Sequence, residues 1–255
     1  MNIYISVVSH SHADMIKKIN CLPALALQFN VIIKCNKSQD AEELRGWCEQ
    51  HNIIMLDSDY GLGFGQNNNF VFRYCENNFS LNADDIFIVL NPDLVISSSD
   101  VLKLVSDMQE NKVKFAAINL FKDSEKTIYD NSIRKFPTLK DFFSSYIIGV
   151  NDCIIDKSKI TEPTEVDWTA GSFMALTVEH YKRLSGFNER YFMYCEDIDI
   201  CYRSKLMGVP VLFYPDIHAL HLAKHANRRV FSRHFFWHLQ SSFRFLSFKY
   251  THRLS

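Results

Sequence analysis

Ile86-Phe87-Ile88-Val89-Leu90-Asn91-Pro92-Asp93 is the stretch on which the fold turns. Five apolar residues run without a polar interruption, which reads as a strand buried on both faces of a sheet. Pro92 ends that strand, because proline donates no ladder hydrogen bond and restricts the residue before it. Two short oxygen-bearing side chains, Asn91 and Asp93, are left at the carboxyl edge, where open α/β sheets place their ligands. The spacing is that of an acidic D-x-D triplet with Asn in the first slot. Such a pair can hold a hard divalent cation and the phosphates it bridges. Taken alone, the triplet also fits a plain strand closed by an Asx turn.

Upstream, strand and helix patterns alternate. Residues 3–8 read as a strand, 13–21 as a short helix and 30–35 as a second strand. A helix capped by Ser38 runs to about His51, and 53–56 form a third strand. Alternation at this interval predicts an α/β fold with a largely parallel, doubly wound sheet. Residues 57–69 break the pattern with Gly61, Gly63 and Gly65 followed by Asn67, Asn68 and Asn69. A glycine-rich turn feeding a helix from about Asn67 to Asn78 is a ready anion site. The third glycine comes too early for a dinucleotide fingerprint. A flexible loop with an Asn cap is the plainer alternative.

Downstream, Ser99 or Asp100 is expected to cap a helix to about Asn111. A strand follows over 114–121, then a strand or loop over 127–136, a Phe-rich helix over 138–149 and a flexible loop over 151–163. Trp168-Thr169-Ala170-Gly171-Ser172 is an aromatic approach and small-residue turn leading into another strand. Glu196 and Asp197 then open a helix, where the dipole favours ionised carboxylates. They read as a site or as a capping cluster, and Asp199 and Arg203 are spaced to pair on one helical face. A strand over 209–214 precedes His218, His221 and His225, which fit either metal ligation or core packing.

The composition is 47% apolar and 22% charged, which fits a soluble globular protein with room for a real core. Seven cysteines without a C-x-x-C pair argue for reduced thiols rather than a zinc site or disulfide framework. The N-terminus lacks a basic n-region, so no signal peptide is expected, and no apolar run reaches membrane-spanning length. Residues 217–255 contain seven Lys or Arg and no acid, which leaves −8 on the rest of a chain of net charge −1. A basic tail on an acidic body suggests an anionic surface as partner. Within the tail Phe231, Phe235, Phe236, Leu239, Phe243 and Leu246 recur at three- and four-residue steps, flanked by Arg233, Arg244 and Lys249. That pattern fits an interfacial amphipathic helix, or a terminal helix packed on the domain or in a dimer.

Gly63-Phe64-Gly65-Gln66-Asn67-Asn68-Asn69, Leu90-Asn91-Pro92-Asp93, Trp168 through Met174, and Gly186-Phe187-Asn188-Glu189 through Arg203, in this order, resemble glycosyltransferase family 2. These are inverting enzymes of GT-A fold, and the resemblance is nearest to bacterial rhamnosyltransferases of O-antigen and related polysaccharide assembly. It covers roughly residues 3–245 and implies a mostly parallel mixed sheet flanked by helices. The GT-A domain would span 1–222, and 223–255 would form a basic, aromatic helical segment.

The resemblance also implies roles. Asp93, Asn91 and His221 would hold a divalent cation, Mg²⁺ or Mn²⁺. Asn36, Gly63, Gly65, Asn68, Asn91, Asp93, Gly171 and Ser172 would face the donor. Asp197 would be the catalytic base with Glu196 beside it, and Trp168, Tyr194 and Arg203 would lie on the acceptor side. The family's Asp before the Asn at the end of the second strand is Cys35 here, so Asp57 or Asp40 would have to read the base. The implied reaction moves L-rhamnose from dTDP-rhamnose to a polyprenyl-diphosphate-linked sugar. It would run at the cytoplasmic face of the inner membrane, without nucleic acid and with a homodimer as an option. The alternatives are another nucleotide sugar (galactofuranosyl, glucosyl or galactosyl) or a catalytically silent nucleotide-sugar-binding protein.

Overall fold

The computed structural model describes residues 1–141, 153–222 and 233–252. In chain order the first half comprises β1 (Ile3–Ser9), α1 (Ala13–Ile19), α2 (Leu22–Ala26), β2 (Asn30–Cys35), α3 (Ser38–Gln50), β3 (Ile54–Leu56), α4 (Phe64–Asn78) and β4 (Ile86–Leu90). Then come β5 (Leu94–Val95), α5 (Ser98–Glu110), β6 (Phe115–Phe121) and β7 (Ile133–Arg134). The second half adds β8 (Thr164–Val166), β9 (Trp168–Thr169), β10 (Phe173–Thr177), α6 (Val178–Arg183), α7 (Glu196–Leu206), β11 (Val211–His221) and α8 (Arg233–Thr251).

The main sheet has the order β3-β2-β1-β4-β10-β6-β11-β5, with β8 paired to β11. Strands β1 to β4 are parallel, β10 runs antiparallel between β4 and β6, and β6 and β11 are again parallel. The α/β architecture with a mixed central sheet flanked by helices is the one the sequence predicts. All five residues of β4 are buried, and they divide between the two faces. Ile86, Ile88 and Leu90 pack with Leu44, Leu104 and Met108, while Phe87 and Val89 pack with Phe72, Tyr181 and Ile200. Burying each such side chain stabilises the fold by about 1.5–3 kcal/mol. A polar residue at any of the five would therefore be felt on one face or the other.

Several boundaries differ from the sequence expectation. Helix α4 begins at Phe64 with Gly63 as its N-cap, so Asn67, Asn68 and Asn69 are buried helix residues rather than a loop. Lys37, not Ser38, precedes the first turn of α3, and Ser97 caps α5 by accepting the Asp100 N–H at 3.0 Å. Strand β11 does not stop at Tyr214. It continues to His221 because β6 pairs with it along most of its length, β8 adds to its first half and β5 to its end. Pro215 lies within it at an irregularity between Tyr214 and His218, where Asn119 Nδ2 donates to the Pro215 carbonyl at 3.1 Å. Among the described residues of the segment expected as a loop over 151–163, a 3₁₀ turn forms at Lys157–Lys159, and Lys157 is buried. Most of the predicted Phe-rich helix over 138–149 lies outside the described residues.

Helix α8 docks along one face, through buried Ser241, Ser242, Phe245 and Leu246. The Tyr202 hydroxyl of α7 donates to the His252 carbonyl at 2.6 Å, and Ser241 Oγ donates to the Met193 carbonyl at 2.9 Å. Phe236, Leu239, Phe243 and Tyr250 are left exposed. The expected apolar stripe is therefore split, since Leu246 faces inward. Phe231 and the Phe235 side chain lie outside what is described. Among the described residues no helix is long and apolar enough to cross a membrane.

Candidate active site

The sheet register itself assembles the site. Phe173 at the start of β10 pairs with Leu90 at the end of β4, so the turn before β10 lies against the Asn91-Pro92-Asp93 edge. The Asn91 N–H donates to the Ser172 carbonyl at 2.9 Å. One residue earlier, the Gly171 N–H donates to Asp197 Oδ2 at 3.2 Å. The Gly171-Ser172 turn thus touches both the cation-binding candidate edge and the candidate base. A Cβ on Gly171 would sit 2.8 Å from the Phe64 ring and 3.7 Å from Asp197 Cβ, so the close approach requires glycine.

Asp197 is delivered by a sharp turn. Tyr194 and Cys195 both adopt left-handed backbone conformations, φ 71° and 62°, immediately before α7. For residues other than glycine this costs on the order of 1 kcal/mol each, and such strain clusters at functional sites.

The two adjacent carboxylates behave differently from the sequence expectation of a pair kept ionised by the helix dipole. Burial, reinforced by the Asp197 charge, raises Glu196 to about 8. Burial also raises Asp197. Glu196 is 6% exposed and its Oε2 has no hydrogen-bond partner. Asp197 is only half-buried and accepts from the Gly171 and Ile198 N–H groups. Hydrogen bonds to the charged form favour it. The shared proton therefore belongs on Glu196, and Asp197 is the carboxylate able to accept one.

The other end of the same edge is built by β11. His221 pairs with Leu94 of β5, which brings its ring beside Asp93. His221 Nε2 is 3.4 Å from Asp93 Oδ1, and Nδ1 is 3.4 Å from Asp130 Oδ2. Both are ion-pair distances, long for hydrogen bonds. Burial alone would lower the His221 pKa, but the Asp130 and Asp93 carboxylates outweigh it and raise it to about 9. Asp130 was not singled out by the sequence, since a lone Asp in a loop carries no motif.

His218, three residues earlier, is directed elsewhere. Its Nδ1 meets Lys126 Nζ at 3.1 Å, and its ring packs on Phe121. His225 lies outside the described residues. The three histidines therefore do not form a common ligand set among the described residues.

The residues present fit a divalent cation bound together with a diphosphate. Asp93 Oδ1 is buried without a hydrogen bond, as is the neighbouring Ser172 Oγ. A buried carboxylate oxygen without a donor is a cost that a cation would relieve. Among the described residues no three His, Cys, Asp or Glu side chains converge to hold a metal alone. That matches a hard cation held by one or two protein groups plus substrate phosphates.

On the donor side several expected contacts are absorbed by the protein. Asn68 is fully buried: its Oδ1 accepts from Ser6 Oγ at 2.8 Å and its Nδ2 donates to the Phe64 carbonyl at 3.0 Å. It ties β1 to α4 instead of facing a ligand. Gly63 and Gly65 make room for the chain itself, because a Cβ there would collide with the Phe192 carbonyl and the Phe187 side chain. The first helical N–H of α4 is taken by the Phe192 carbonyl at 3.3 Å, and the Gly63 N–H by Gln66 Oε1 at 2.8 Å. Asn36 at the end of β2 clamps the loop from 57, donating to the Leu62 carbonyl at 2.8 Å and accepting its N–H at 2.9 Å. Its Nδ2 also lies 3.2 Å from His10 Nδ1, at the end of β1. Asp57 pairs with Arg45 at 2.6 Å, and buried Asp40 accepts the Ser11 N–H at 2.7 Å.

On the acceptor side, Tyr194 lies against His238 of α8, with ring centroids 5.0 Å apart. Trp168 is buried, and its Nε1 donates to the Lys135 carbonyl at 2.9 Å. Arg203 is spent on Asp199 at 2.7 Å and on the Leu184 and Gly186 carbonyls. Trp168 and Arg203 are therefore engaged within the protein, and Tyr194 is half-buried against α8.

No family model matches the sequence. The chain is 40% identical over 97% of its length to "Rhamnosyltransferase WbbL" of Escherichia coli K12, covering 93% of that protein. It is 28% identical over 65% of its length to the "N-acetylglucosaminyl-diphospho-decaprenol L-rhamnosyltransferase" of Mycobacterium tuberculosis H37Rv, covering 56% of that protein. Among solved structures, S. aureus TarS 1-349 in complex with UDP-GlcNAc superposes with a TM-score of 0.58 at 11% identity, over 92% of this chain and 64% of that one. GalNAc-T7 with UDP, GalNAc and Mn²⁺ gives 0.57 at 14% identity, over 90% of this chain and 45% of that one. At such identities the structural likeness speaks for the fold alone. The near-complete match to the first relative, on the architecture described above, places the chain in family 2 of the GT-A glycosyltransferases, with its affinity among the rhamnosyltransferases.

Proposed function

We propose that the protein transfers L-rhamnose from dTDP-L-rhamnose to a polyprenyl-diphosphate-linked sugar, with inversion, in cell-surface polysaccharide synthesis. The observation that carries the reaction class is the Gly171-Ser172 turn, hydrogen-bonded at once to Asp197 and to the Asn91 edge. Base and leaving-group ends of one displacement are thereby held on a single rigid element. The transferred rhamnose is supported by the names of the two bacterial relatives, and the lipid-linked acceptor by that of the mycobacterial one.

In the displacement, the acceptor hydroxyl attacks the anomeric carbon as the bond to the donor diphosphate breaks. Asp197 takes the hydroxyl proton, which needs a base within hydrogen-bond reach. Glu196 keeps its own proton and adds no second negative charge beside the base. Asp93 and His221, with the neutral Asn91 amide at the same edge, would hold Mg²⁺ or Mn²⁺. Such a cation supplies Lewis-acid neutralisation of the leaving diphosphate. One base suits a single displacement with inversion, which would turn a β-linked donor into an α-linked product.

The exposed aromatic row of α8 supports work at a membrane surface. Its neighbour Trp237 lies against Phe192, with ring centroids 4.7 Å apart, in the segment leading to Asp197. A lipid carrier lying along that row would present its sugar to the base. This supports peripheral attachment to the cytoplasmic face of the inner membrane.

The test is turnover by purified protein of dTDP-rhamnose with a GlcNAc-diphosphate-lipid analogue, in Mg²⁺ or Mn²⁺. Rhamnosylated product is expected. Turnover of a different nucleotide sugar with none of dTDP-rhamnose would remove the donor assignment.

A further inference from the structure

We propose that Asp130 is the positioning residue for the cation site: it fixes the ring of His221 so that Nε2 is presented beside Asp93. The proposal rests on the reading of Asp93 and His221 as cation-binding groups and adds a residue to it.

The geometry is specific. His221 lies between two carboxylates that address opposite ring nitrogens, Asp93 at Nε2 and Asp130 at Nδ1, each at 3.4 Å. A cation shared by Asp93 and Nε2 would lie on the far side of the ring from Asp130. This agrees with the finding that no three ligating side chains converge among the described residues. Asp130 is therefore not a ligand but the partner of the ligand's other nitrogen. With a cation in place of the Nε2 proton, a carboxylate in that place would keep the remaining proton on Nδ1 and leave the Nε2 lone pair to the metal.

Asp130 is itself held firmly. Its N–H donates to the Leu120 carbonyl at 2.9 Å, and the same carbonyl accepts from Lys157 Nζ at 2.9 Å. Leu120 lies in β6, paired with Ala219 of β11, so Asp130 is tied to the strand next to the one that carries His221. Lys157 is 3% exposed and also reaches Ser132 Oγ at 3.4 Å. A buried ammonium needs a counter-charge, and Asp130 and Lys157 are electrostatic partners. The chain thus runs Lys157, Asp130, His221, Asp93, from the interior to the diphosphate edge. This also gives a reason for a buried lysine in a segment whose composition reads as solvent-exposed loop.

The experiment is a Mn²⁺ titration of the full chain by electron paramagnetic resonance, with dTDP and separately with UDP. It compares wild type, Asp130→Ala, Asp130→Asn and His221→Ala, with nucleotide affinity measured in parallel without metal. Asp130→Ala should weaken Mn²⁺ about 10–100-fold, the usual loss for an outer-sphere partner. Asp130→Asn, whose amide oxygen can face Nδ1–H in the same place, should recover part of that loss. Metal-free nucleotide affinity should stay unchanged in both, which a general loss of structure would not allow. Wild-type Mn²⁺ affinity in both Asp130 variants, with His221→Ala impaired, overturns the role of Asp130 and leaves the cation site standing. No Mn²⁺ binding by wild type with either nucleotide overturns the cation reading and this inference together.

Discussion

Asp197 Oδ2 and the Gly171 N–H lie 3.2 Å apart, across 26 residues of sequence. That one contact joins the helix carrying the proposed base to the turn abutting the Asn91-Pro92-Asp93 edge. It also biases the adjacent carboxylates, because a backbone donor stabilises charge on Asp197 while Glu196 has a buried oxygen with no partner.

Replacing the two acids should therefore give unequal results. Asp197→Asn is expected to lower kcat by about 10²–10⁴-fold, the usual contribution of a general base. Donor binding, read by thermal shift, should be nearly intact. Glu196→Gln replaces a group already protonated near neutrality with a neutral isostere, so kcat should fall far less. Sign matters for stability: an acid raised to about 8 by burial costs the fold increasingly as pH climbs from its ordinary range towards 8. Glu196→Gln should thus raise the unfolding midpoint more at pH 8 than at pH 5. Equal loss of turnover in both variants would overturn the division of roles.

Gly171→Ala tests the contact sterically. The added methyl would press on the Phe64 ring at 2.8 Å. Overpacking of this kind costs about 1–3 kcal/mol, and the Gly171 N–H whose position it disturbs is the one bonded to Asp197, the proposed base. Turnover should fall more than urea stability does, and Phe64→Leu in the same chain should restore part of both. A fully active Gly171→Ala would show that the close approach is not needed.

These residues were unequally legible in the sequence. β4 could be read directly because five apolar residues without alternation have few other homes, and Pro92 marked its end. Asp93 followed from that end. The glycine loop misled, because Gly63 and Gly65 look the same whether a phosphate or the Phe192 carbonyl and Phe187 side chain crowd them. Asn68 misled for the same reason: a buried amide saturated by Ser6 and Phe64 leaves no local signature. The end of β11 was missed because Pro215 reads as a strand terminator, whereas neighbours on both sides carry the strand past it. Asp130 and Lys157 depend on contacts spanning up to 91 residues, and no spacing rule reports those.

Two histidines should give the stability curve opposite limbs. His180 is buried, which lowers it to about 4, with Arg183 and Lys114 adding to the effect. The unfolded chain then binds the extra proton between about pH 6.5 and 4, so stability falls as pH drops through that window. His221 is raised to about 9, so its contribution is complete below about 6.5 and is lost as pH rises towards 9. Each effect is at most about 3 kcal/mol. Urea midpoints of metal-free protein should peak near neutrality. His180→Asn should flatten the acid limb and His221→Gln the alkaline one. An unchanged acid limb in His180→Asn would count against the first assignment.

The exposed row on α8 makes the last prediction. Phe236, Leu239 and Phe243 are 60%, 51% and 74% exposed and recur at steps of three and four, on one side of the helix. Arg244 and Lys249, the cations of α8 whose side chains are described, already donate to the Arg190 and Pro137 carbonyls. Apolar insertion of this row should add to any attachment, at about 1.5–3 kcal/mol for each side chain buried. The triple variant Phe236→Ser, Leu239→Ser, Phe243→Ser should lose flotation with anionic liposomes while keeping turnover of a short, water-soluble acceptor analogue. Wild-type flotation should survive salt that screens surface charge. If the variant instead floats normally and changes sedimentation from dimer to monomer, the row is a subunit interface and not a lipid-facing surface.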